Sequence, residues 1–486
     1  MRVAFVDGPW PRYGHRTQRW AHKNPGGNIN PPPIFQMYAA SLARERGCDV
    51  ALWDAPVLDM TFEAVAAEVC RFSPRVIVQN VSTASFDHDV RLAEMLKQSK
   101  DCLLVMVGPH ATALARDIMA WVPQVDVIGL GEYDETIADL VSHLDDLTKV
   151  RGIVFRQDGE VVETEPRDLI KDLDGLPFPA WDLVDIHRYW ESMFPKTRRP
   201  VATLMTSRGC NHHCSFCLYP QVLFRHKLRL RNLDRVLDEI EWLKQRFGAR
   251  FFYFEDDNFT ASWRRVEEFS HRLFQRNLHI SWGCLSRTDR VTEERLRLMR
   301  DSGCFLIKYG VESGVQTTLD AMDKKKALEE TLHAFAVTKK VGILAHATVM
   351  IGTPYETRAS IRETRKFVRK LGPDSAQFSI CTPLPGTRFW DECMTHGWLT
   401  YDRWEDFDGV TGGVLDYPGL SKDEIRKAVQ NSYLDYYASF PHIRQRMRRM
   451  IQGPERFSQF LRNFWLLKRL AMVLRSKIGW KLLDDA

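Results

Sequence analysis

Cys210, Cys214 and Cys217 stand in a C-x3-C-x2-C spacing within the run Thr206-Ser-Arg-Gly-Cys-Asn-His-His-Cys-Ser-Phe-Cys217. A tight loop lets three thiolates so spaced point inward and wrap one face of a small metal cluster. A [4Fe–4S] cube is usually held by four thiolates, so three leave one iron open to a small molecule. Zinc is the competing reading, and His212 and His213 keep it open. Zinc sites, however, usually pair two C-x2-C or C-x2-C/H-x3-H hooks, and no second hook is present. Ten cysteines in 486 residues make chance clustering a poor explanation.

Other chemistry-bearing groups fall at the ends of apolar runs. Glu255, Asp256 and Asp257 are three acids in a row, which repel one another unless cations or hydrogen-bond donors meet them; a solvated loop is the plainer alternative. Ser286 and Arg287 follow the next run, and the arginine fork suits a carboxylate. Glu312 lies in Gly310-Val-Glu-Ser-Gly314, Gly352 in Val349-Met-Ile-Gly-Thr-Pro-Tyr-Glu356, and a final turn reads Thr382-Pro-Leu-Pro-Gly-Thr387. Tyr309, His346 and Cys304 are candidates for later proton or electron transfer, although each equally suits core packing.

These residues need a scaffold, and the patterning predicts an α/β chain. From Val201 onward, six apolar strands alternate with amphipathic helices, the first helix capped by Asn232. Six such units in about 180 residues fit a partial (β/α)6 barrel better than a closed eightfold one, which takes about 250. Its active residues belong at the carboxyl ends of the strands. Before it, residues 1–150 alternate strands and helices from Val3–Val6 to a closing helix near Glu135. That pattern predicts a doubly wound, Rossmann-like parallel sheet with ligands at the carboxyl ends of its strands. The loops there carry Asp7, Ser82, Thr83, Gly108, Pro109, His110, Gly129, Gly131 and Glu132. No G-x-G-x-x-G follows the first strand, which disfavours a dinucleotide. The long loop from Trp10 to Pro33 reads as a flap near a ligand.

Residues 151–195 read as a linker, with a hairpin around Asp158-Gly159 and prolines in Leu176-Pro-Phe-Pro. The barrel is expected over 196–399 and a helical region over 400–486. Trp398, just before it, and Trp404, Tyr433, Tyr436 and Tyr437 within it are candidates to line a substrate cap. The last stretch is basic and aromatic, fitting a docked helix pair, a peripheral membrane contact or a site for an anionic or lipid-like substrate.

The net charge of +5 makes no case for nucleic acid. No run approaches the roughly 20 apolar residues that cross a bilayer, and Met1–Asp7 reads as a strand rather than a signal peptide. Seven further cysteines scattered through apolar runs suit reduced thiols and a cytoplasmic setting.

With Phe216 before the last cysteine, the triad resembles the signature of the radical S-adenosylmethionine (SAM) superfamily. Val107-Gly-Pro-His-Ala111 and Gly129-Leu-Gly-Glu-Tyr-Asp-Glu-Thr136 resemble the cobalamin-binding domain preceding many such cores. Together they place residues 1–400 beside the cobalamin-dependent radical SAM enzymes. One departure is plain: the D-x-H-x-x-G motif that supplies a cobalt ligand in many B12 proteins is absent, and His15 is a weak substitute.

The resemblance implies a [4Fe–4S] cluster on Cys210, Cys214 and Cys217. It implies SAM contacts from Phe216, Glu255, Asp256, Ser286, Arg287, Glu312 and Gly352, and cobalamin contacts from the nine loop residues of the first domain. It implies a C-methyltransferase that uses methylcobalamin and a 5′-deoxyadenosyl radical to methylate an unactivated carbon. A cyclase or rearrangement of a tetrapyrrole-like ring is the alternative within enzymes, and a cobalamin or iron–sulfur sensor or electron carrier the alternative outside them. The implied partners are a small-molecule substrate (a natural product, lipid or ring intermediate) and an external electron donor such as flavodoxin or ferredoxin.

Overall fold

Val3 and Phe5 face one way along the first strand and Ala4 and Val6 the other, and all four are buried. A strand covered on both faces is what a doubly wound sheet requires. The computed structural model describes residues 1–10, 14–16, 21–23, 31–97, 102–189 and 200–450. The flap expected over 10–33 and the basic tail beyond 450 lie largely outside them, and the side chain of His15 is likewise not described.

Strands β1 (Arg2–Asp7), β2 (Asp49–Asp54), β3 (Val76–Asn80), β4 (Leu103–Val107), β5 (Val127–Gly129), β6 (Ile153–Gln157) and β7 (Glu160–Glu163) form one sheet. Its order is β2-β1-β3-β4-β5-β6-β7. The first five strands are parallel, whereas β6 and β7 are antiparallel additions. The hairpin expected in the linker is therefore hydrogen-bonded to the first sheet. Ile153, Val154 and Phe155 are apolar and buried, and the edge of β5 offers them partners that a free linker would lack.

The two faces of this sheet feed separate cores. Ala4, Val6, Ile77, Leu104 and Met106 pack beneath the helices Phe62–Phe72 and Phe86–Leu96. Val3, Phe5, Val78, Val105 and Val107 pack beneath Ile34–Glu45, and that cluster runs on into the second domain. The two domains thus share one apolar core on this side.

The second sheet contains β8 (Val201–Leu204), β9 (Phe251–Phe254), β10 (Ser281–Ser286), β11 (Cys304–Glu312), β12 (Leu344–Ile351) and β13 (Ser375–Ile380), all parallel and in chain order. This is the partial (β/α)6 barrel. Asn232 caps the first barrel helix as expected, accepting from the Asp234 amide at 2.8 Å. The outer edge at β13 is covered by the helix Lys422–Tyr437. The Tyr437 hydroxyl takes both the amide (3.1 Å) and the carbonyl (2.9 Å) of Ala376. Tyr433 packs on Phe378, and Tyr436 donates to the Pro373 carbonyl. These three tyrosines therefore seal a sheet edge, which would otherwise be a pairing site, rather than lining a cap. Trp404 packs against Phe86 and His110 of the first domain, and its amide donates to Asp87 Oδ2 at 3.0 Å.

Candidate active site

The cysteine loop leaves the carboxyl end of β8 and is fastened along its length. Thr206 donates its amide and hydroxyl to Asp256 (2.6 and 2.5 Å), and Ser207 donates its hydroxyl to the same carboxylate at 2.8 Å. The Gly209 amide donates to Asp257 Oδ2 at 3.1 Å. Gln221 Nε2 donates to the carbonyls of Cys214, Ser215 and Cys217, the last at 2.7 Å. Asp256 and Asp257 are thus met by donors, which relieves the repulsion among three adjacent carboxylates. Asp256, expected as a SAM contact, is buried and braces the loop instead.

Cys210 and Cys214 are buried, Cys217 is half-buried, and none forms a disulfide. Burial pushes the Cys210 and Cys217 thiols up, and Asp257 adds to the effect at both. Neutral thiols held together in this way fit a cationic metal cluster, whose charge is what would allow them to ionise. Among the described residues, no three His, Cys, Asp or Glu side chains converge to hold a single metal ion. The histidines are used otherwise: His213 stacks on His226 at 4.1 Å, and the His212 carbonyl meets His226 Nδ1 at 2.9 Å.

Beside the loop, at the ends of β10 and β11, lie charges the sequence did not single out. Lys324 is buried, with Nζ 2.7 Å from Glu312 Oε1 and 5.7 Å from the Phe216 ring centroid. Burial opposes its charge, but the Glu312 carboxylate, with Cys214 in its ionised form, more than restores it, so its pKa lies above the usual lysine value. Lys326 donates to the Gly310 carbonyl at 2.6 Å, and burial together with Lys324 pushes its pKa down to about 7. Glu312, Phe216 and Gly310 are therefore gathered at one place, with the Lys324 ammonium and the Lys326 amino group among them. Cations of this kind fit the carboxylate of an amino-acid-like ligand such as SAM. A run of three lysines ordinarily reads as a solvated face, so the sequence carries no signal for these two.

Other expected contacts are already engaged. Arg287 donates from Nε to Asp289 (2.6 Å) and from Nη2 to the Lys324 and Lys325 carbonyls (2.8 and 3.1 Å), so its fork orders the lysine loop. The Ser286 hydroxyl bonds Thr260 (2.6 Å) and the Arg287 carbonyl. Glu255 is half-buried at the strand end. The close approach at Gly352 is made by protein: an added Cβ would lie 2.7 Å from Ile425 Cγ2, and the carbonyl accepts from the Tyr417 hydroxyl at 3.0 Å. Tyr309 bonds Thr338 on the helical side, His346 bonds Ser375 and is pushed down to about 3 by burial, and Cys304 is buried beside Cys284. All three belong to packing rather than to the strand-end site.

Glu356 is a further buried carboxyl. Oε2 accepts from the Gly352 and Thr353 amides (2.6 and 3.3 Å), whereas Oε1 has no partner. Burial raises its pKa from 4.5 to about 7. The folded protein therefore holds a proton that the unfolded chain has lost, and stability falls as pH rises from 4.5 towards 7. Glu356→Gln keeps an amide-accepting oxygen and should flatten that fall, worth up to about 3 kcal/mol, in urea midpoints measured across the window.

On the first domain, the expected loop residues assemble at the carboxyl edge of the sheet. Gly108, Pro109, Gly131 and Glu132, with Asn80 and Tyr133, line one wall of a crevice. Tyr219, Leu223 and Phe224, which follow Cys217, line the other. At Gly131 (φ +64°) an added Cβ would meet nothing within 4 Å, so the backbone is bare there.

The side chains nearby are less available. Asp7 accepts from Asn80 (2.9 Å) and Gln36 (3.3 Å). Ser82 bonds Ser85, and Thr83 bonds His110 Nδ1 at 3.2 Å. His110 is buried between Phe86 and Trp404, which pushes its pKa down to about 3, and its Nε2 has no partner. Gly129 packs on Val107. Glu132 is held by Arg208 and Arg229 and accepts from the Ile170 amide at 3.1 Å, so it ties the domains together.

Residues 27–141 match the B12 binding domain and 204–368 match the Radical SAM superfamily. A protein of Pyrococcus horikoshii named as an uncharacterized methyltransferase is 30% identical over 410 residues, covering 84% of this chain and 88% of the relative. The chain belongs to the cobalamin-dependent radical SAM enzymes. The anaerobic magnesium-protoporphyrin IX monomethyl ester cyclase of Rubrivivax gelatinosus is 28% identical over 436 residues, covering 86% and 77%. The same fold occurs in the radical SAM methyltransferase TsrM of Kitasatospora setae, solved with cobalamin and a [4Fe–4S] cluster, at a TM-score of 0.65 and 16% identity, covering 82% and 76%.

The chain is therefore an enzyme that works with a [4Fe–4S] cluster, SAM and cobalamin on a small-molecule substrate. A stand-alone sensor or carrier does not describe it.

Proposed function

We propose that the chain methylates an unactivated carbon of a small molecule, with the chemistry carried out at the crevice between its two domains. The observation that carries this reading is a juxtaposition. Tyr219, Leu223 and Phe224 leave the cysteine loop and face Gly108 and Gly131 of the B12-binding sheet. When bound, the cluster supplies the electron that cleaves SAM to a 5′-deoxyadenosyl radical, and cobalamin supplies a transferable methyl group.

In this reading Cys210, Cys214 and Cys217 hold the cluster. Lys324, Lys326 and the Glu312 carboxylate order the polar end of SAM beside Phe216, with Glu255 at the end of β9. Gly131 offers bare backbone to the corrin, with Gly108 and Pro109 beside it. Apolar Leu223 and Phe224 keep water from the path between the two, as radical chemistry requires. An external carrier such as flavodoxin or ferredoxin would deliver the electron in a reducing cytoplasm. Among the described residues no helix is long and apolar enough to cross a membrane. Peripheral membrane contact would fall to the basic tail. The relative named as a methyltransferase supports methyl transfer.

The test uses full-length protein reconstituted with iron, sulfide and cobalamin, given methyl-labelled SAM and titanium(III) citrate. The expected result is 5′-deoxyadenosine together with S-adenosylhomocysteine and labelled corrinoid, with Cys214→Ala releasing no 5′-deoxyadenosine above background. The cyclase relative supports a second reading, ring closure without methyl transfer. Release of 5′-deoxyadenosine alone, with no S-adenosylhomocysteine, would favour it.

A further inference from the structure

Lys324 stands on the turn between the helices Gln316–Ala321 and Leu328–Val341, and that turn is fastened to both sides of Cys214. The Ser215 amide donates to the Met322 carbonyl at 3.0 Å. Arg388 reaches from the His213 carbonyl to Asp323 Oδ2, the latter at 3.1 Å. Asp323 and Lys325 both adopt positive φ (54° and 44°), a conformation that costs non-glycine residues about 1 kcal/mol or more. Between them Lys324 is turned inward and only 7% exposed. Burying an ammonium and straining its two neighbours is unfavourable, so the arrangement calls for a compensating role. Its ion pair with Glu312 compensates only in part, because Glu312 is itself buried at positive φ.

We infer that Lys324 is a positioning residue whose fixed charge raises the electron affinity of the cluster on Cys210, Cys214 and Cys217, with Glu312 opposing it. The inference rests on assigning the cluster to those three cysteines. The physical reason is Coulombic. One electron is added with no bond made or broken, the negative charge on the thiolate-bound cluster grows by one, and a nearby cation in a water-poor site stabilises the reduced form. Removing the cation takes away that attraction and leaves the opposing field of Glu312 in place. Removing the carboxylate instead leaves the cation unopposed.

The experiment is a redox titration of reconstituted full-length protein, with titanium(III) oxidised to titanium(IV) as the electron source and the reduced cluster followed by EPR. Iron and sulfide content of the wild type, with its visible absorbance, comes first: a protein that binds no cluster defeats the underlying assignment rather than the role of Lys324. With the cluster loaded, Lys324→Gln should lower the midpoint potential, Lys324→Arg should return it to the wild-type value, and Glu312→Gln should raise it. A structural role alone predicts no such opposition of sign. An unchanged potential in Lys324→Gln, or movement of the Gln variants in the same direction, overturns the inference. Should Lys324→Gln fail to retain its cluster, the other two variants decide: Glu312→Gln unmoved or lowered, or Lys324→Arg displaced, overturns it.

Discussion

Replacing Gly209 with alanine is expected to leave all three thiols in the chain and yet abolish stable cluster incorporation. Gly209 adopts φ +86°, and a Cβ there would lie 2.1 Å from the Lys227 carbonyl oxygen and 3.1 Å from Phe224 Cβ. The first of these is backbone and cannot swing aside as a flexible side chain would. Relief requires the short ladder that pairs Arg208 with Arg229 to separate, which moves Cys210, the next residue, away from its partners. Left-handed strain alone costs about 1–3 kcal/mol, and about 1.4 kcal/mol is a tenfold change in an equilibrium. Iron per protein should therefore fall to about a tenth or less of the wild type. Gly131→Ala is the contrasting case. It carries a similar positive φ but meets nothing within 4 Å, so iron content should hold while cobalamin retention weakens. Iron and corrinoid assays on both variants check the pair, and equal losses of iron would refute the argument.

That contrast also marks where the sequence was legible. The cysteine spacing and the order of strands were readable because each depends on neighbours along the chain. Ser286, expected to follow its strand, is the last residue of that strand, and Glu312 likewise closes its own. Side-chain roles at the strand ends were less readable, because they depend on what arrives from elsewhere. Asp256 and Glu255 are adjacent acids, but only the first meets the amide and hydroxyl of Thr206. Gly352 was expected to admit a ligand, and Ile425 from a later helix takes that space. Tyr433, Tyr436 and Tyr437 look like a cap in sequence, because nothing local reveals that β13 is an edge strand. Lys324 is buried only because a carboxylate on β11 awaits it. Glu132 follows the same logic, since its partners Arg208 and Arg229 lie in the other domain.

Arg208 leads to the second large expectation. Its guanidinium meets Asp134 through two bonds (2.9 and 3.1 Å) and Glu132 at 3.2 Å, and it lies over the Phe35 and Tyr38 rings. The Arg208 and Asp134 side chains are 2% and 0% exposed. Arg208→Met removes the cation and leaves Asp134 buried without it, a change that typically costs about 3–5 kcal/mol. Lysine is no substitute, because it lacks the planar fork that binds both carboxylates and stacks on the rings. Glu132 keeps Arg229, so the loss centres on Asp134. Adding Asp134→Leu to Arg208→Met should therefore recover most of the stability, as when a buried ion pair is replaced by apolar groups. Urea unfolding of the single and double variants checks this, and a double variant no more stable than the single one would refute it.

The same pair predicts a functional split. Arg208 lies two residues before Cys210, and Glu132 lies next to Gly131, so this contact spaces the cysteine loop from the corrin cradle. The double variant, refolded but with the clamp reduced to Glu132 and Arg229, should still release 5′-deoxyadenosine while the share of turnovers that transfer label from methyl-labelled SAM declines. An unchanged ratio of the two products would mean that the apolar core shared by the domains sets their spacing without the ion pair.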